Sequence, residues 1–472
     1  MRRRALALLD DRRTYLVLIT LNILVGGGLV LAIVLRGDAG ADSHSYLALA
    51  QGILHGHYSM YWQLPHPYPD TFRAPGFPLY LAVFIKLFGT WRWAGLVQAA
   101  LLVLSVHVSF KAMARWGFGL AARNVFLLLL LSSQNILMYV PMVNPEIPAL
   151  TCITLLTFLD PLYRAPRRFS GVGLGLLAGF AFHCRPIFLL LPFLRLVSDL
   201  LFFRSGIHWR TTATYIGTFA LTLLPFTLWN KANHGVLRPT PLEGGGGVFH
   251  MGWWSGRIPD YHQHRYWGNF TGDEMIRFVP ADSIPANIAA YEHEWDRIDS
   301  ALAPLLTAAD TDMLAHYVEY VNEKTFNSAY TLERERLLKR LTTEHMRTHP
   351  GYTFAFKCYT AVRLWVIGVD RGDFVRANML GKVKLAMPFL VTFAQFLLAL
   401  ICIPLALRRK LLAWRALYPM LFVVLYGWLV SVPFTIQSRY TVPLRFVLFA
   451  LMAMSVVALL ERRAHPANTP TT

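Results

Sequence analysis

Residues 14–35, TYLVLITLNILVGGGLVLAIVL, contain no charged side chain and follow the basic stretch 1–13. A helix needs about 20 apolar residues to cross a hydrocarbon core of roughly 30 Å, because each residue adds about 1.5 Å. The apolar region of a cleaved signal peptide is shorter, about 7–15 residues. We therefore expect this segment to remain as a first transmembrane helix, with the N-terminus in the cytoplasm.

The rest of the chain is similarly apolar. Hydrophobic residues make up 55% and charged residues 15% of its 472 positions, which a soluble fold does not accommodate. Short loops rich in Lys and Arg lie between its apolar segments, and such loops are typically cytoplasmic. The net charge of +18 therefore indicates membrane topology and not nucleic-acid binding. We predict an all-α polytopic protein of the plasma (inner) membrane, with about ten transmembrane helices and both termini inside.

This alternation divides the chain into four parts. Residues 1–230 are predicted to form an N-terminal transmembrane module with a first external loop at 36–92. Residues 231–350 are predicted to form a small external domain. Residues 351–463 contain an interfacial helix and the C-terminal transmembrane helices, and residues 464–472 form a disordered tail.

Apolar periodicity places the individual helices. Interfacial helices are predicted at 45–54, 77–88 and 352–369. The predicted spans are 14–35, 93–110, 124–143, 147–164, 171–183, a segment through 194 to 204, 211–229, 385–407, 416–433 and 440–460.

Charged residues at a membrane edge are costly, and so those present are candidates for function. Under the predicted topology they gather on the outer, periplasmic side, and they are Asp42, Arg73, Glu146, Arg185, Lys357, Arg363, Arg439 and Arg445. Carboxylates beside guanidinium groups suit a reaction that removes a proton from a nucleophile and expels a phosphate. We therefore expect the active site on that side.

Short motifs follow one another through the same outer regions. They are Asp42-Ser-His-Ser-Tyr46, Gly56-His-Tyr58, Arg73-Ala-Pro75-Gly76, Asn144-Pro145-Glu146, Arg185-Pro186, His349-Pro350 and Gln437-Ser-Arg439-Tyr440. This pattern resembles the GT-C glycosyltransferases, which include the protein O-mannosyltransferases and the lipid A aminoarabinose transferases. The resemblance covers residues 14–230 and 349–460 but not 244–347. Where the aminoarabinose transferases have Lys-Pro-Pro, this chain has Arg73-Ala-Pro75 and keeps a cation.

The resemblance implies a GT-C-like enzyme that takes a sugar from a polyprenyl-phosphate donor. The acceptor would be a lipid, a glycan or a protein on the outer side, and membrane lipids would be the surrounding partners. Asp42 would be the general base of an inverting displacement. The cations implied to stabilise the departing phosphate are Arg73, Arg185, Lys357 and Arg439, with Arg363 and Tyr440 as further donor-site residues. Glu146 would orient the acceptor, assist Asp42 or hold a divalent ion.

Other residues are candidates for binding the substrate. His44 and Tyr46 lie in the first motif, and Trp254, with its neighbour Trp253, could stack on a sugar ring or anchor the chain at the interface. The glycines 244–247 are not a phosphate loop, because no strand precedes them and no Gly-Lys-Ser/Thr follows. We expect a lid or a linker there.

Each charged candidate also has a structural alternative. Asp42 could cap the following helix, with Asp38 as its nearest substitute as base. Glu146 could mark a helix start, and Arg185 and Arg439 could reach lipid headgroups. Lys357 and Arg363 are ordinary on an interfacial helix.

Two further patterns involve ionisable side chains away from these motifs. The histidines of the first loop, His44, His55, His57 and His66, show no recognised metal-ligand spacing with Asp42 or Asp70. Arg195 and Asp199 are four residues apart on a predicted helix and are expected to form an internal ion pair.

Two other functions remain open at this point. A transporter or flippase of lipid-linked substrates would also have many helices, but it tends to place polar groups near the midplane and to contain internal repeats. An O-antigen ligase or polymerase would also use a large outer loop, but its signature is arginines in that loop without a first-loop Asp.

Overall fold

The computed structural model describes residues 2–36, 42–159, 170–202, 204, 207–258, 278–311, 326–369, 371–434 and 437–461. Over these residues the prediction of an all-α chain is confirmed, since they form α-helices and short 3₁₀ helices and include no strand. Asp38, the inner loop around 164–168 and the tail 464–472 lie outside the described residues.

The α-helices before the hydrophilic region are α1 (Arg2–Leu9), α2 (Arg12–Arg36), α3 (Ser43–Leu54), α4 (Gly76–Phe88), α5 (Trp93–Arg115), α6 (Leu120–Ser132), α7 (Gln134–Met138), α8 (Glu146–Phe158), α9 (Ser170–Cys184), α10 (Leu191–Phe202) and α11 (Trp209–His234). Those that follow are α12 (Gly245–Trp254), α13 (Ile284–Leu302), α14 (Ser328–Thr348), α15 (Pro350–Arg363), α16 (Arg371–Arg376), α17 (Met379–Arg408), α18 (Trp414–Ser431) and α19 (Arg445–Glu461). The 3₁₀ helices are Pro186–Leu190, Ala281–Ser283, Ala303–Leu305 and Ser438–Leu444.

Several helices have the length and apolar character of membrane spans. Four of those described are long and apolar enough to cross a membrane, namely Arg12–Ala32, Trp93–Arg115, Met379–Arg408 and the continuous segment Ser438–Glu461. Shorter apolar helices accompany them. On α2, the side chains of Ile23 and Leu24 are 66% and 64% exposed, a surface that suits lipid and not water. The total of about ten spans stays a prediction.

The C-terminal helix α19 lies at the centre of the bundle. It packs on α5, α6, α17 and α18, and nearly all its side chains are buried, as expected for a helix that is apolar on every face. Phe446 and Phe449 meet Phe126 of α6 edge to face, with ring centroids 5.3 and 6.1 Å apart. At the first residue of α19, Arg445 Nη2 donates to the Trp365 carbonyl over 3.0 Å.

A stripe of small residues joins α9 to α11. Gly171, Gly175 and Gly179 recur every four residues on α9 and face α11. A Cβ atom at Gly175 would lie only 2.5 Å from the Thr218 Cβ. Small residues at this spacing let helix backbones approach closely, which favours helix association in lipid. His183, near the end of α9, is bonded through Nε2 to the Thr222 carbonyl of α11 over 2.9 Å.

The predicted third span, 124–143, is wrong as a single helix. α6 ends at Ser132, and the short α7 begins at residue 134. Gln395 of α17 lies at the break, where its Nε2 donates to Ser132 Oγ over 2.7 Å and to the Leu129 carbonyl over 3.2 Å. An interruption at membrane depth requires such compensation. The compensating amide comes from a distant helix, so the local apolar pattern does not reveal it.

Helices α12, α13 and α14 form a separately packed hydrophilic unit. Its core contains Trp253, Trp254 and Trp295. The carboxylate of Glu294 joins the three helices, because its two oxygens bind His250 Nε2 and His345 Nε2, each over 2.5 Å.

The glycine run 244–247 is neither a lid nor a linker. Gly244 caps α12, and the next three glycines begin that helix. The amides of Gly244 and Gly246 donate to the Glu335 carboxylate over 3.2 and 2.5 Å. A carboxylate at a helix N-terminus satisfies amides that lack an intrahelical partner. Glu335 lies on α14, and the run therefore fastens α12 to α14.

The predicted internal ion pair is confirmed. Arg195 Nε lies 2.9 Å from Asp199 Oδ1 on α10, and both residues are buried. The hydroxyl of Tyr418 on α18 donates to the same Asp199 oxygen over 2.9 Å, and the pair thus also holds α18 against α10.

Candidate active site

Asp42 lies immediately before α3, at the N-cap position. Its carboxylate makes no capping hydrogen bond to the described helix and is bound instead by two arginines. Arg439 Nη1 lies 2.6 Å from Oδ2, and Arg73 Nη2 lies 3.7 Å from Oδ1. Burial raises the pKa of Asp42, but the positive charges of Arg73 and Arg439 outweigh this effect. The pKa is therefore held well below its usual range.

Arg73 is held by contacts on several sides. Its Nε donates to Ser45 Oγ over 3.2 Å. Its guanidinium lies over the Tyr46 ring, with Cζ 4.6 Å from the ring centroid, where a cation is attracted to the aromatic face. Asp42 and the first turn of α3 therefore supply both the carboxylate and part of the support for its cation.

Asp70 fixes the backbone next to Arg73 through hydrogen bonds to two amides. The sequence indicated Asp70 only as a possible metal ligand. Asp70 Oδ2 accepts the amide hydrogens of Phe72 and Arg73 over 3.1 and 2.7 Å, and the Tyr58 hydroxyl donates to the Arg73 carbonyl over 2.9 Å. Burial raises the pKa of Asp70 to about 7, even though the Arg73 amide opposes this shift. In the sequence, the only indication of this role is a short polar residue that precedes an Arg in a loop.

A second carboxylate and guanidinium pair adjoins this group. Glu146, in the first turn of α8, is fully buried and pairs with Arg185, which directly follows α9. Gly76 permits this approach, because a Cβ there would lie 2.6 Å from the His183 Cβ. The close packing brings the loop that carries Arg73 against the end of α9 that carries Arg185.

Arg439 lies in the 3₁₀ helix that leads into α19. The Gln437 side chain accepts from Arg439 Nε over 2.7 Å. The Tyr440 ring has the guanidinium of Arg185 at 5.7 Å and that of Arg439 at 5.9 Å. Tyr440 thus lies beside two cations of the cluster.

Together these residues form a cluster, the arginine–carboxylate cluster, of Asp42, Arg73, Glu146, Arg185 and Arg439. Three guanidinium groups face two carboxylates, which leaves one positive charge in excess. Four of the five side chains retain 13–21% exposure. A mostly desolvated group with an excess cation and limited access suits an anionic ligand.

Two other charged candidates from the sequence, Lys357 and Arg363, donate to backbone carbonyls. Lys357 Nζ donates to the carbonyls of Gly252 and Pro433 over 2.7 and 2.9 Å, and burial lowers its pKa to about 7. Arg363 donates to the Val366 carbonyl. Lys357 therefore ties two other segments to α15, whereas the bond from Arg363 to Val366 is local.

Trp254 is also remote from the cluster. It is buried within the hydrophilic unit, and its Nε1 donates to Glu294 over 3.0 Å. In this position its indole packs in the core of the hydrophilic unit. Tyr46 supports Arg73, as described above, and His44 lies in the first turn of α3, next to the cluster in sequence.

The described residues offer little to a metal ion. No group of three His, Cys, Asp or Glu side chains among them comes together in a metal-binding arrangement. In the cluster, one oxygen of Glu146 is already paired with Arg185.

Comparisons with known proteins add a distant structural resemblance. No family model and no curated protein matches the sequence. A crystal structure of ArnT from Cupriavidus metallidurans bound to undecaprenyl phosphate is similar over 94% of this chain and 78% of its own, with a TM-score of 0.39 and 16% sequence identity. A similarity of this size does not assign a family.

Proposed function

We propose that this chain is a membrane glycosyltransferase that moves a sugar from a polyprenyl-phosphate donor to an acceptor at the outer face of the inner membrane. The observation that carries the proposal is the arginine–carboxylate cluster. Its members come from four distant segments and include a carboxylate, Asp42, held directly by two guanidinium groups. The sequence motifs that resemble the GT-C enzymes contain these same residues.

In the proposed reaction, Asp42 is the general base. It takes the proton of the acceptor hydroxyl while that oxygen forms a bond to the anomeric carbon. The bond between the anomeric carbon and the phosphate oxygen breaks, and its electron pair leaves with the polyprenyl phosphate. Attack from the side opposite the phosphate inverts the anomeric configuration. General-base catalysis of this kind contributes about 10²–10⁴-fold in rate.

The arginines take up the charge that the leaving phosphate gains. Guanidinium groups bind phosphate oxygens in bidentate geometry, and partial burial strengthens each contact. Removing a single donor from a preorganised anion site typically lowers the rate about 10²–10³-fold. Arg73 and Arg439 are the proposed phosphate ligands, and Arg185 contributes the third cation.

Glu146 is proposed to act through Arg185. Its full burial and its pairing with Arg185 fit a residue that fixes the position of the cation. In this position Glu146 orients the site, and Asp42, which is more exposed, meets the acceptor.

The test is transfer of radiolabelled sugar in isolated membranes that have been preloaded with polyprenyl-phosphate sugars. We compare the native chain, Asp42→Asn and the matched control Asp373→Asn at equal expression, since Asp373 lies in an exposed pair with Arg376. Asp42→Asn is expected to lose at least about 100-fold in rate, and the control to keep full activity.

Two results would count against the proposal in different ways. Undiminished transfer by Asp42→Asn would remove Asp42 as the base. No transfer by the native chain with any donor would favour a transporter or flippase of lipid-linked substrates.

A further inference from the structure

Both oxygens of the Asp42 carboxylate face guanidinium groups in this structure. Arg439 Nη1 lies 2.6 Å from one oxygen, and Arg73 Nη2 lies 3.7 Å from the other. Arg185 adds a third positive charge nearby. The two arginines proposed to bind the donor phosphate are therefore the same two that hold the proposed base.

This arrangement makes Asp42 a poor base while it lasts. The two guanidinium groups stabilise the ionised carboxylate strongly enough to overcome the effect of burial, which acts in the opposite direction. A base works best when its affinity for a proton is near the operating pH. A carboxylate held between two arginines lies far from this condition.

From this competition, and on the basis of the proposed function, we infer that the donor phosphate displaces Asp42 from Arg73 and Arg439, and that donor binding therefore activates the base. Phosphate and carboxylate are both anions that guanidinium binds through paired hydrogen bonds. Once the arginines turn to phosphate, burial remains while their stabilisation of Asp42 weakens. The carboxylate then gains proton affinity at the step where the acceptor must be deprotonated.

The exchange predicts an order of events. The donor binds first, and an acceptor that arrives before it meets an inactive base. After transfer, the polyprenyl phosphate leaves and the arginines return to Asp42, which closes the cycle. Other contacts of the arginines, such as those from Arg73 to Ser45 and from Arg439 to Gln437, provide pivots about which each guanidinium can change partners.

The experiment measures binding of a polyprenyl phosphate without sugar to the purified full chain in detergent. Asp42→Asn and Asp42→Ser both remove the competing charge, and we expect each to bind the lipid at least about tenfold more tightly than the native chain, because a charge-assisted contact no longer has to be given up. Asp42→Glu keeps the charge and is expected to bind like the native chain. Asp373→Asn is the surface control.

A second comparison separates competition from simple repulsion between anions. In an Arg439→Gln background, the gain from Asp42→Asn should shrink to less than about a third of its size, because the shared cation is absent. An undiminished gain in that background would overturn the exchange through Arg439.

The outcomes distinguish this inference from the proposed function. If the native chain binds the lipid but neither neutral variant binds it more tightly, the exchange is refuted and the donor assignment stands. If the native chain does not bind the lipid, the donor assignment fails and the exchange fails with it. Unfolding temperatures of all variants identify any that are misfolded, and agreement between the two neutral variants is required.

Discussion

Removing the Arg185 guanidinium tests the buried pair with Glu146. The Glu146 side chain is fully buried and the Arg185 side chain retains 16% exposure. When one partner of a buried pair is removed, the other is left as an unpaired charge in a medium of low dielectric, at a cost of about 3–5 kcal/mol. We expect Arg185→Gln to lower the free energy of unfolding by an amount in this range.

A second substitution in the same chain should restore most of that loss. Glu146→Gln removes the stranded charge, and two amides can share a hydrogen bond at the same place. The surface control is Arg376→Gln, whose partner Asp373 is 62% exposed while Arg376 itself is 76% exposed. Exposed pairs contribute about 0–1 kcal/mol, and so this variant should unfold much like the native chain.

The assay is thermal unfolding of the purified variants in one detergent, with sugar transfer measured in parallel. If Arg185→Gln is no more destabilising than Arg376→Gln, or if Glu146→Gln fails to rescue it, the reasoning about a buried charge pair is refuted. The rescued double variant should remain slow in transfer, because it still lacks the cation that Arg185 supplies to the cluster. The double variant should therefore regain stability without regaining activity.

Further predictions concern packing and pH. Gly175→Ala forces a methyl group against Thr218 and should destabilise the chain by about 1–3 kcal/mol. At Gly173 on the same helix a Cβ meets no atom within 4 Å, and so Gly173→Ala should leave stability unchanged or raise it. Unfolding temperatures of the two variants test this difference. Burial raises the pKa of Asp70 from 3.8 to about 7. The contribution of its protonated form to stability is therefore complete below pH 3.8 and is lost as the pH rises through 7. The unfolding temperature of Asp70→Asn should accordingly rise relative to that of the native chain between pH 5 and pH 8. Burial raises the pKa of Glu294, but its hydrogen bonds with two histidines outweigh this effect and hold the pKa below 4.5. The contribution of this carboxylate to stability is therefore present above pH 4.5 and is lost as the pH falls below it. Glu294→Gln should abolish this loss, as measured by unfolding scans at pH 7 and pH 4.

The sequence predicted the helices better than it predicted the contacts between them. Uncharged runs locate helices reliably because burial or lipid demands them. Charges at helix ends are conspicuous in such a chain, which is why Asp42, Glu146, Arg185 and Arg439 could be selected. Their pairing could not be predicted, since the contact between Asp42 and Arg439 spans 397 positions.

The contacts that the sequence did not indicate have a common physical origin in tertiary partners. The Gly244 to Gly247 run resembled a linker because its stabilising partner, the Glu335 carboxylate, lies about 90 residues away on α14. Trp254 resembled a surface aromatic because its local sequence does not indicate the carboxylate of Glu294 that binds its indole. The local sequence of Lys357 likewise does not indicate the two carbonyls, from separate segments, that accept hydrogen bonds from its ammonium group.

The cluster also lies where several helix ends meet, which strengthens the argument for an anionic ligand. Asp42 precedes α3, Glu146 begins α8, and Arg439 lies in the first turn of the 3₁₀ helix that leads into α19. The N-terminal end of a helix carries a partial positive charge, equivalent to about half an elementary charge for a long helix. These partial charges have the same sign as the excess guanidinium, whereas the C-terminal end of α9 next to Arg185 carries the opposite sign. In the native chain the two carboxylates offset part of that charge, and Asp42, the more exposed of the two, is the one that we propose is exchanged for a ligand. A phosphate that enters the cluster would therefore meet a field already arranged for an anion, and the carboxylate it displaces would be the one placed to accept a proton.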